Sequence, residues 1–102
     1  VAINSKGEIF AATSPKGKVY RIGPDGKATE FFKCPEKTIF AMTFDREDNL
    51  YVATGENGLI YKVNTRGESK VLYDSDEPNI VTLAWDAQGR LLAGSEGNAI
   101  LY

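Results

Sequence analysis

The sequence has no histidine, a single cysteine and no long apolar run. Without histidine, the side chain that most often transfers protons near neutral pH is missing, and no Ser–His or Cys–His pair can be built. The single cysteine, Cys34, excludes an internal disulfide framework. A membrane-spanning helix needs about 20 apolar residues in succession, so we predict no membrane segment.

Charge of one sign is not in excess either. The chain carries 14 acidic and 12 basic residues, which gives a net charge of -2. A chain so close to neutrality does not attract nucleic acid or an anionic membrane surface through its overall field. The hydrophobic share of 42% and the charged share of 25% are ordinary for a globular protein. We therefore predict a globular domain that binds neither nucleic acid nor membranes.

An internal repeat of 41 residues runs through the chain without a gap. The segment Ile9–Thr13 aligns with Leu50–Thr54, which in turn aligns with Leu91–Ser95. Two complete units and a partial third one follow, covering residues 1–38, 39–79 and 80–102 approximately. Because periods of this length are typical of solenoids and propellers, we treat the chain as one repeat segment.

Each unit contains short runs rich in Ile, Val, Leu, Phe and Tyr, and no run has the 3.6-residue period of an amphipathic helix. Their spacing predicts an antiparallel four-stranded meander per unit. The predicted strands are Val1–Ile3, Glu8–Thr13, Lys18–Ile22, Thr29–Phe32, Ile39–Phe44, Leu50–Thr54, Leu59–Val63, Ser69–Tyr73, Ile80–Trp85, Leu91–Ser95 and Ala99–Tyr102.

The turns between first and second strands have a recognisable chemistry. In the second unit this turn is Asp45–Asn49, and its equivalent in the third is Asp86–Arg90. An Asp at the first position can accept backbone N–H bonds, and a later Gly or Asn is expected to adopt positive φ. The pattern favours tight hairpins.

The second strands indicate how the units are arranged. Leu50–Thr54 reads without polar alternation, so we expect such strands to be covered on both faces. Ala12, Ala53 and Gly94 keep one repeat position small, as expected where sheets crowd together. Stacked four-stranded sheets around an axis form a β-propeller. The predicted fold is therefore all-β, a propeller segment of about two and a half antiparallel blades.

Two stretches carry a resemblance to known propellers. Met42–Thr54 resembles the repeat of NHL-like propellers, and Leu83–Gly94 is similar to blades of the gluconolactonase-like family. In both families an apolar strand, an Asp-containing turn and a second apolar strand recur once per blade. The resemblance covers the whole chain and implies propeller architecture.

The resemblance also implies where a ligand would bind. Propellers of these families bind ligands at one mouth of the channel, formed by loops that enter the innermost strands and loops that join the second and third strands. This mouth is polar and mostly acidic, and it could hold a protein or a small polar ligand. The candidate ligand-binding residues are Glu36, Lys37, Asn57, Glu77, Asn79 and Asn98.

The sequence predicts no catalytic residue, no metal site and no cofactor. The acidic run of Asp74, Asp76 and Glu77 lacks the Gly turn and the terminal Glu of a calcium loop. Gluconolactonase-like hydrolases hold a divalent metal with a carboxylate, an Asn and an Asp from different blades, and no such set can be placed here. Cys34 lies in a predicted loop and is interpreted as incidental.

The chain begins just ahead of a predicted strand and ends within another, so we expect a piece of a longer repeat protein or an assembly of copies. Its end faces and its last strand edge would be bare, which favours self-association into a homo-oligomer. The predicted function is a non-enzymatic scaffold or binding module. The alternatives are a fragment of a lactonase-like metal hydrolase, and a designed or excised fragment without an evolved function.

Overall fold

The structure, a computed structural model, describes residues 1–13, 17–34, 38–55, 58–74, 80–95 and 98–101. Within these ranges the chain is all-β and contains no helix. Consequently no helix in the described part is long and apolar enough to cross a membrane. The all-β prediction is confirmed.

The strands follow the repeat closely, and most begin and end where the sequence predicts. Small differences occur at β1, β2, β4, β8 and β11, where each shifted bound moves by one residue. The strands are β1 Ala2–Ile3, β2 Ile9–Ala12, β3 Lys18–Ile22, β4 Ala28–Lys33, β5 Ile39–Phe44, β6 Leu50–Thr54, β7 Leu59–Val63, β8 Ser69–Asp74, β9 Ile80–Trp85, β10 Leu91–Ser95 and β11 Asn98–Leu101.

The strands form three antiparallel meanders, one for each repeat unit. Sheet 1 has the order β1-β2-β3-β4, sheet 2 has the order β5-β6-β7-β8, and sheet 3 has the order β9-β10-β11. The register is equivalent between sheets 1 and 2: Ile9 pairs with Ile22, and Leu50 pairs with Val63. In sheet 3 the β9–β10 pairing follows the same register, whereas the β10–β11 pairing is shifted by two residues, which keeps each side chain on the same face. Equivalent residues therefore lie on equivalent faces of each sheet.

The sheets are in contact in chain order, and their first strands β1, β5 and β9 contact one another in that order. One core cluster joins sheets 1 and 2 and includes Phe10, Val19, Leu50 and Val52. A smaller cluster of Ala53, Ile60 and Ala93, with Leu83 packed against it, joins sheets 2 and 3. Sheet 2 is thus enclosed between its two neighbours. Cys34 lies outside the strands, directly after β4, as the sequence predicts, and its buried side chain belongs to the first cluster.

Coverage of the second strands differs between sheets. Every residue of Leu50–Thr54 in sheet 2 is buried, which confirms the prediction for that strand. In the outer sheets one face of the second strand is exposed, as expected for bare end faces: Ile9 is 40% exposed and Leu92 is 37% exposed. The physical reason is that each outer sheet has only one neighbouring sheet in the structure.

The turns confirm the predicted role of Asp and correct the position of the left-handed residue. Oδ1 of Asp45 accepts the N–H groups of Glu47 and Asn49, both at 2.9 Å. The residue with positive φ in this turn is Asp48, at 63°, and not the expected Asn49. Its repeat equivalents, Gly7 and Gly89, adopt φ of 78° and 80°.

The small position on the second strands has two different causes. Ala53 is fully buried between sheets 2 and 3, as predicted for a place where sheets crowd together. At Gly94 the crowding arises within sheet 3, because an added Cβ would approach Cγ2 of the cross-strand partner Thr82 to 2.7 Å.

Candidate functional site

The predicted ligand-binding mouth lies almost wholly outside the described residues. All but one of its candidate residues fall in segments that the structure does not describe: Glu36, Lys37, Asn57, Glu77 and Asn79. The remaining one, Asn98, is the first residue of β11 and pairs with Ser95. The mouth stays a prediction, as does the assignment of Asp76 and Glu77 as a non-metal loop.

Backbone bonds next to this mouth join its two classes of loop. The Cys34 N–H donates to the carbonyl oxygen of Gly17 at 2.8 Å, and the Gly55 N–H donates to that of Thr38 at 3.1 Å. In sheet 1 the segment after β4 therefore lies against the β2–β3 loop. In sheet 2 the segment before β5 lies against the β6–β7 loop. Thr54, fully buried, reinforces the hairpin by donating to the Leu59 carbonyl at 2.8 Å.

A described groove lies at the opposite end of the sheets, where the first and second strands are joined. It has a volume of about 890 Å³ and is lined by Ile3–Ser5, Phe44–Glu47, Tyr51 and Trp85–Gly89. We call it the turn groove. The sequence pattern does not indicate this groove, because its polar residues, such as Asp45 and Asp86, lie in segments that are predicted to be turns.

Both carboxylate oxygens of Asp45 in the turn groove accept hydrogen bonds that stabilise the turn. Its Oδ2 accepts the hydroxyl of Tyr51 at 2.9 Å, in addition to the backbone bonds at Oδ1. Burial acts to raise the pKa of Asp45, but hydrogen bonds from Asn49, Tyr51 and Glu47 outweigh it and lower that pKa. Burial and the bond to Asp45 raise the pKa of Tyr51 to about 12. Near neutral pH the pair is a carboxylate and a neutral phenol, which is unsuited to proton transfer.

A polar contact between sheets 1 and 2 accounts for the unusual backbone of Asp48. The carboxylate of Asp48 accepts the Ser5 N–H at 2.9 Å and the Ser5 hydroxyl at 2.6 Å. Both bonds lower the pKa of Asp48, and the bond from the Ser5 hydroxyl has the larger effect. The gain offsets the cost of placing a non-glycine residue at positive φ.

Replacement of Ser5 by Ala is expected to raise the pKa of Asp48 toward its ordinary value. A carboxyl whose folded-state pKa is lowered adds stability above its unfolded pKa and loses it as pH falls through the folded one. The Ser5→Ala variant should therefore lose less stability than the wild type as the pH falls below the ordinary pKa of an aspartate. An NMR titration of side-chain carboxyl shifts measures the pKa directly. Asp86, whose pKa is lowered mainly by the Arg90 backbone N–H, is the internal control, and an unchanged Asp48 pKa would contradict the assignment.

Equivalent aromatic contacts recur at both sheet-to-sheet boundaries. Phe10 of sheet 1 packs against Phe44 of sheet 2 with ring centroids 4.9 Å apart and planes at 61°. One repeat further along, Tyr51 of sheet 2 packs against Trp85 of sheet 3 at 5.3 Å and 82°. Both are edge-to-face arrangements, the geometry that aromatic quadrupoles favour. The two boundaries are thus copies of one interface.

This repetition defines two faces on every sheet. The leading face packs onto the next sheet along the chain and carries Phe10 in sheet 1 and Tyr51 in sheet 2. The trailing face packs onto the previous sheet and carries Leu50 in sheet 2 and Leu91 in sheet 3. Along a strand these residues alternate because successive side chains point to opposite faces.

Two of these faces have no neighbour in the structure. The trailing face of sheet 1 presents Ile3, 62% exposed, and Ile9. The leading face of sheet 3 presents Leu92 and, beside it on β9, the exposed Ala84. Exposed apolar surface of this kind commonly marks a place where another molecule binds. These faces are the strongest candidate functional surface of the described chain.

Within residues 1–13, 17–34, 38–55, 58–74, 80–95 and 98–101, no group of three or more His, Cys, Asp or Glu side chains could hold a metal ion. Neither a protein-family model nor a curated protein matches this chain. The fold and the exposed faces together define an all-β repeat protein of stacked antiparallel meanders.

Proposed function

We propose that this chain is a non-enzymatic β-propeller segment that serves as a scaffold or binding module and is completed by association of its own copies. The observation that carries the proposal is the contrast between the sheets. Strand β6 of sheet 2 is covered on both faces, whereas its equivalents are exposed on the trailing face in sheet 1 and on the leading face in sheet 3. A further sheet at each end would give every sheet the environment of sheet 2.

The propeller assignment is supported by the meander topology, the gapless repeat and the order of contacts. Each sheet begins with the strand that lies nearest the neighbouring sheets, since β1, β5 and β9 contact one another in that order. Propellers typically contain 4–8 four-stranded sheets around an axis. Two copies of this chain would supply six sheets, which is within that range.

In the completed ring, the proposed binding site is the mouth opposite the turn groove. Loops from several sheets would meet there, and the candidate residues Glu36, Lys37 and Asn98 would be joined by their equivalents from the second copy. A protein segment or a small polar ligand suits such a surface, since binding residues are commonly carried by loops on a rigid scaffold. Catalysis is not part of the proposal.

The mass in solution tests this proposal most directly. Size exclusion with light scattering should give a discrete multiple of the 11.2 kDa chain mass, falling toward the chain mass only on strong dilution. A well-behaved species of the chain mass at every concentration would contradict self-association. A polydisperse aggregate would contradict a closed assembly and indicate a piece of a longer propeller. Thermal melts with and without a divalent cation test the lactonase-like alternative, because a ligand that binds the folded state raises the melting temperature. We expect no shift.

A further inference from the structure

The two bare faces are repeat equivalents of faces that already pack together inside the chain. Ile9 on the bare trailing face of sheet 1 corresponds to Leu50, which is fully buried against sheet 1. Leu92 on the bare leading face of sheet 3 corresponds to Tyr51, which is buried against sheet 3. Each bare face is thus one half of an interface that the chain forms twice.

The aromatic contacts give the register of the missing interface. In repeat terms, Phe10–Phe44 and Tyr51–Trp85 are the same contact one unit apart. Leu92 is the repeat equivalent of Phe10 and Tyr51, and Ile3 is the repeat equivalent of Phe44 and Trp85. If sheet 1 of a second copy followed sheet 3, the same contact would therefore pair Leu92 with Ile3. Both Leu92 and Ile3 are exposed in the single chain.

We infer that the partner of each bare face is the opposite bare face of a second copy, so that copies join head to tail and Leu92 of one copy contacts Ile3 of the next. This inference rests on the proposed self-association and specifies its geometry. The contact is heterologous, because each copy contributes a different face to it. Heterologous contacts produce closed rings when the rotation between copies closes, as propeller geometry requires.

The two bare faces differ in the size of their side chains. The leading face is built with small residues at one repeat position, Ala12, Ala53 and Gly94, whereas the trailing face of sheet 1 carries Ile3 and Ile9. Head-to-tail joining brings these two different faces together. A symmetric contact between two trailing faces would instead oppose isoleucines to isoleucines.

The exposed residues that define the two faces are uncharged. On β9 and β10 they are Thr82, Ala84 and Leu92, and on β1 and β2 they are Ile3 and Ile9. Depletion of charge at the centre of a contact is the compositional signature of protein interfaces. A second copy satisfies this condition on both sides.

Cysteine cross-linking of separately prepared variants tests the head-to-tail contact. Leu92→Cys and Ile3→Cys chains are mixed, allowed to exchange at low concentration, concentrated and treated with a short bismaleimide. We expect a covalent species of twice the chain mass in the mixture and in neither variant alone. Wild-type chain, which carries Cys34, gives the background, and a mixture of Leu92→Cys with the exposed-turn variant Lys27→Cys is the matched control.

The outcomes separate this inference from the proposed function. Cross-linking of either variant with itself would show a symmetric face-to-face contact and overturn the head-to-tail geometry. Multimers by light scattering without any cross-link would place the contact elsewhere, which also overturns the inference but preserves self-association. Monomers throughout would contradict both.

Discussion

Leu50→Ala is expected to lower the free energy of unfolding by about 2–5 kcal/mol, the usual cost of truncating a fully buried Leu. Leu50 has no solvent exposure and lies in the cluster between sheets 1 and 2. For a domain of this size, such a loss corresponds to a fall in melting temperature of more than about 10 °C. Denaturant unfolding followed by circular dichroism measures it.

The matched control is Ile9→Ala, which removes an aliphatic side chain at the same repeat position. Because Ile9 is 40% exposed, its truncation should cost only about 1 kcal/mol in the dissociated chain. At concentrations where copies associate, the cost should grow, since Ile9 then becomes covered as Leu50 is. Equal losses for the two variants in dilute solution would show that the sheets are not stacked as described.

Gly67→Ala is expected to destabilise the chain more than Gly26→Ala, although the two glycines are repeat equivalents. Gly67 has φ of 84° and Gly26 has φ of 81°, so alanine pays the left-handed penalty of about 1–2 kcal/mol at either position. Only at Gly67 would the new Cβ meet another group, the carbonyl oxygen of Phe31, at 2.9 Å. That oxygen belongs to β4, so sheet 1 must shift.

The additional loss at Gly67 should be about 1–3 kcal/mol, the range for inserting a methyl group into a packed site. Effects of the substitution on the unfolded chain cancel between the two variants, because both replace Gly by Ala in a turn. Parallel urea unfolding curves of the two proteins give the difference. Indistinguishable curves would mean that the β7–β8 turn does not lie against β4.

The strands and their order were predictable because the same pattern of short apolar runs recurs in each repeat unit. Each strand position could be checked against its repeat equivalent, which removes most of the ambiguity of short apolar runs. Residues that differ between units carry no such check. The left-handed position in the first turns is Gly in two units and Asp48 in the other, and only the contact with Ser5 from a neighbouring sheet explains it.

The site was less predictable than the fold for a related reason. A repeat pattern shows which residues serve every unit, but exposure depends on whether a neighbouring unit is present. Leu50 and Ile9 therefore look alike in sequence and differ completely in burial. Tyr51 lies in a strand that the sequence predicts to be covered on both faces, and its hydroxyl bond to Asp45 has no counterpart at Phe10 that could have indicated it.

Two polar contacts distinguish the interfaces that are otherwise copies of one another. Ser5 bonds to Asp48 between sheets 1 and 2, and the Trp85 Nε1–H donates to the Thr43 hydroxyl at 3.0 Å between sheets 2 and 3. At the inferred junction between copies, the equivalent positions are Ala87 with Gly7 and Ile3 with Ala84, which offer no side-chain hydrogen bond. Dilution should therefore dissociate the copies while the sheets within each chain stay packed together. The contact between copies is then the weakest one in the assembly and the one that forms reversibly.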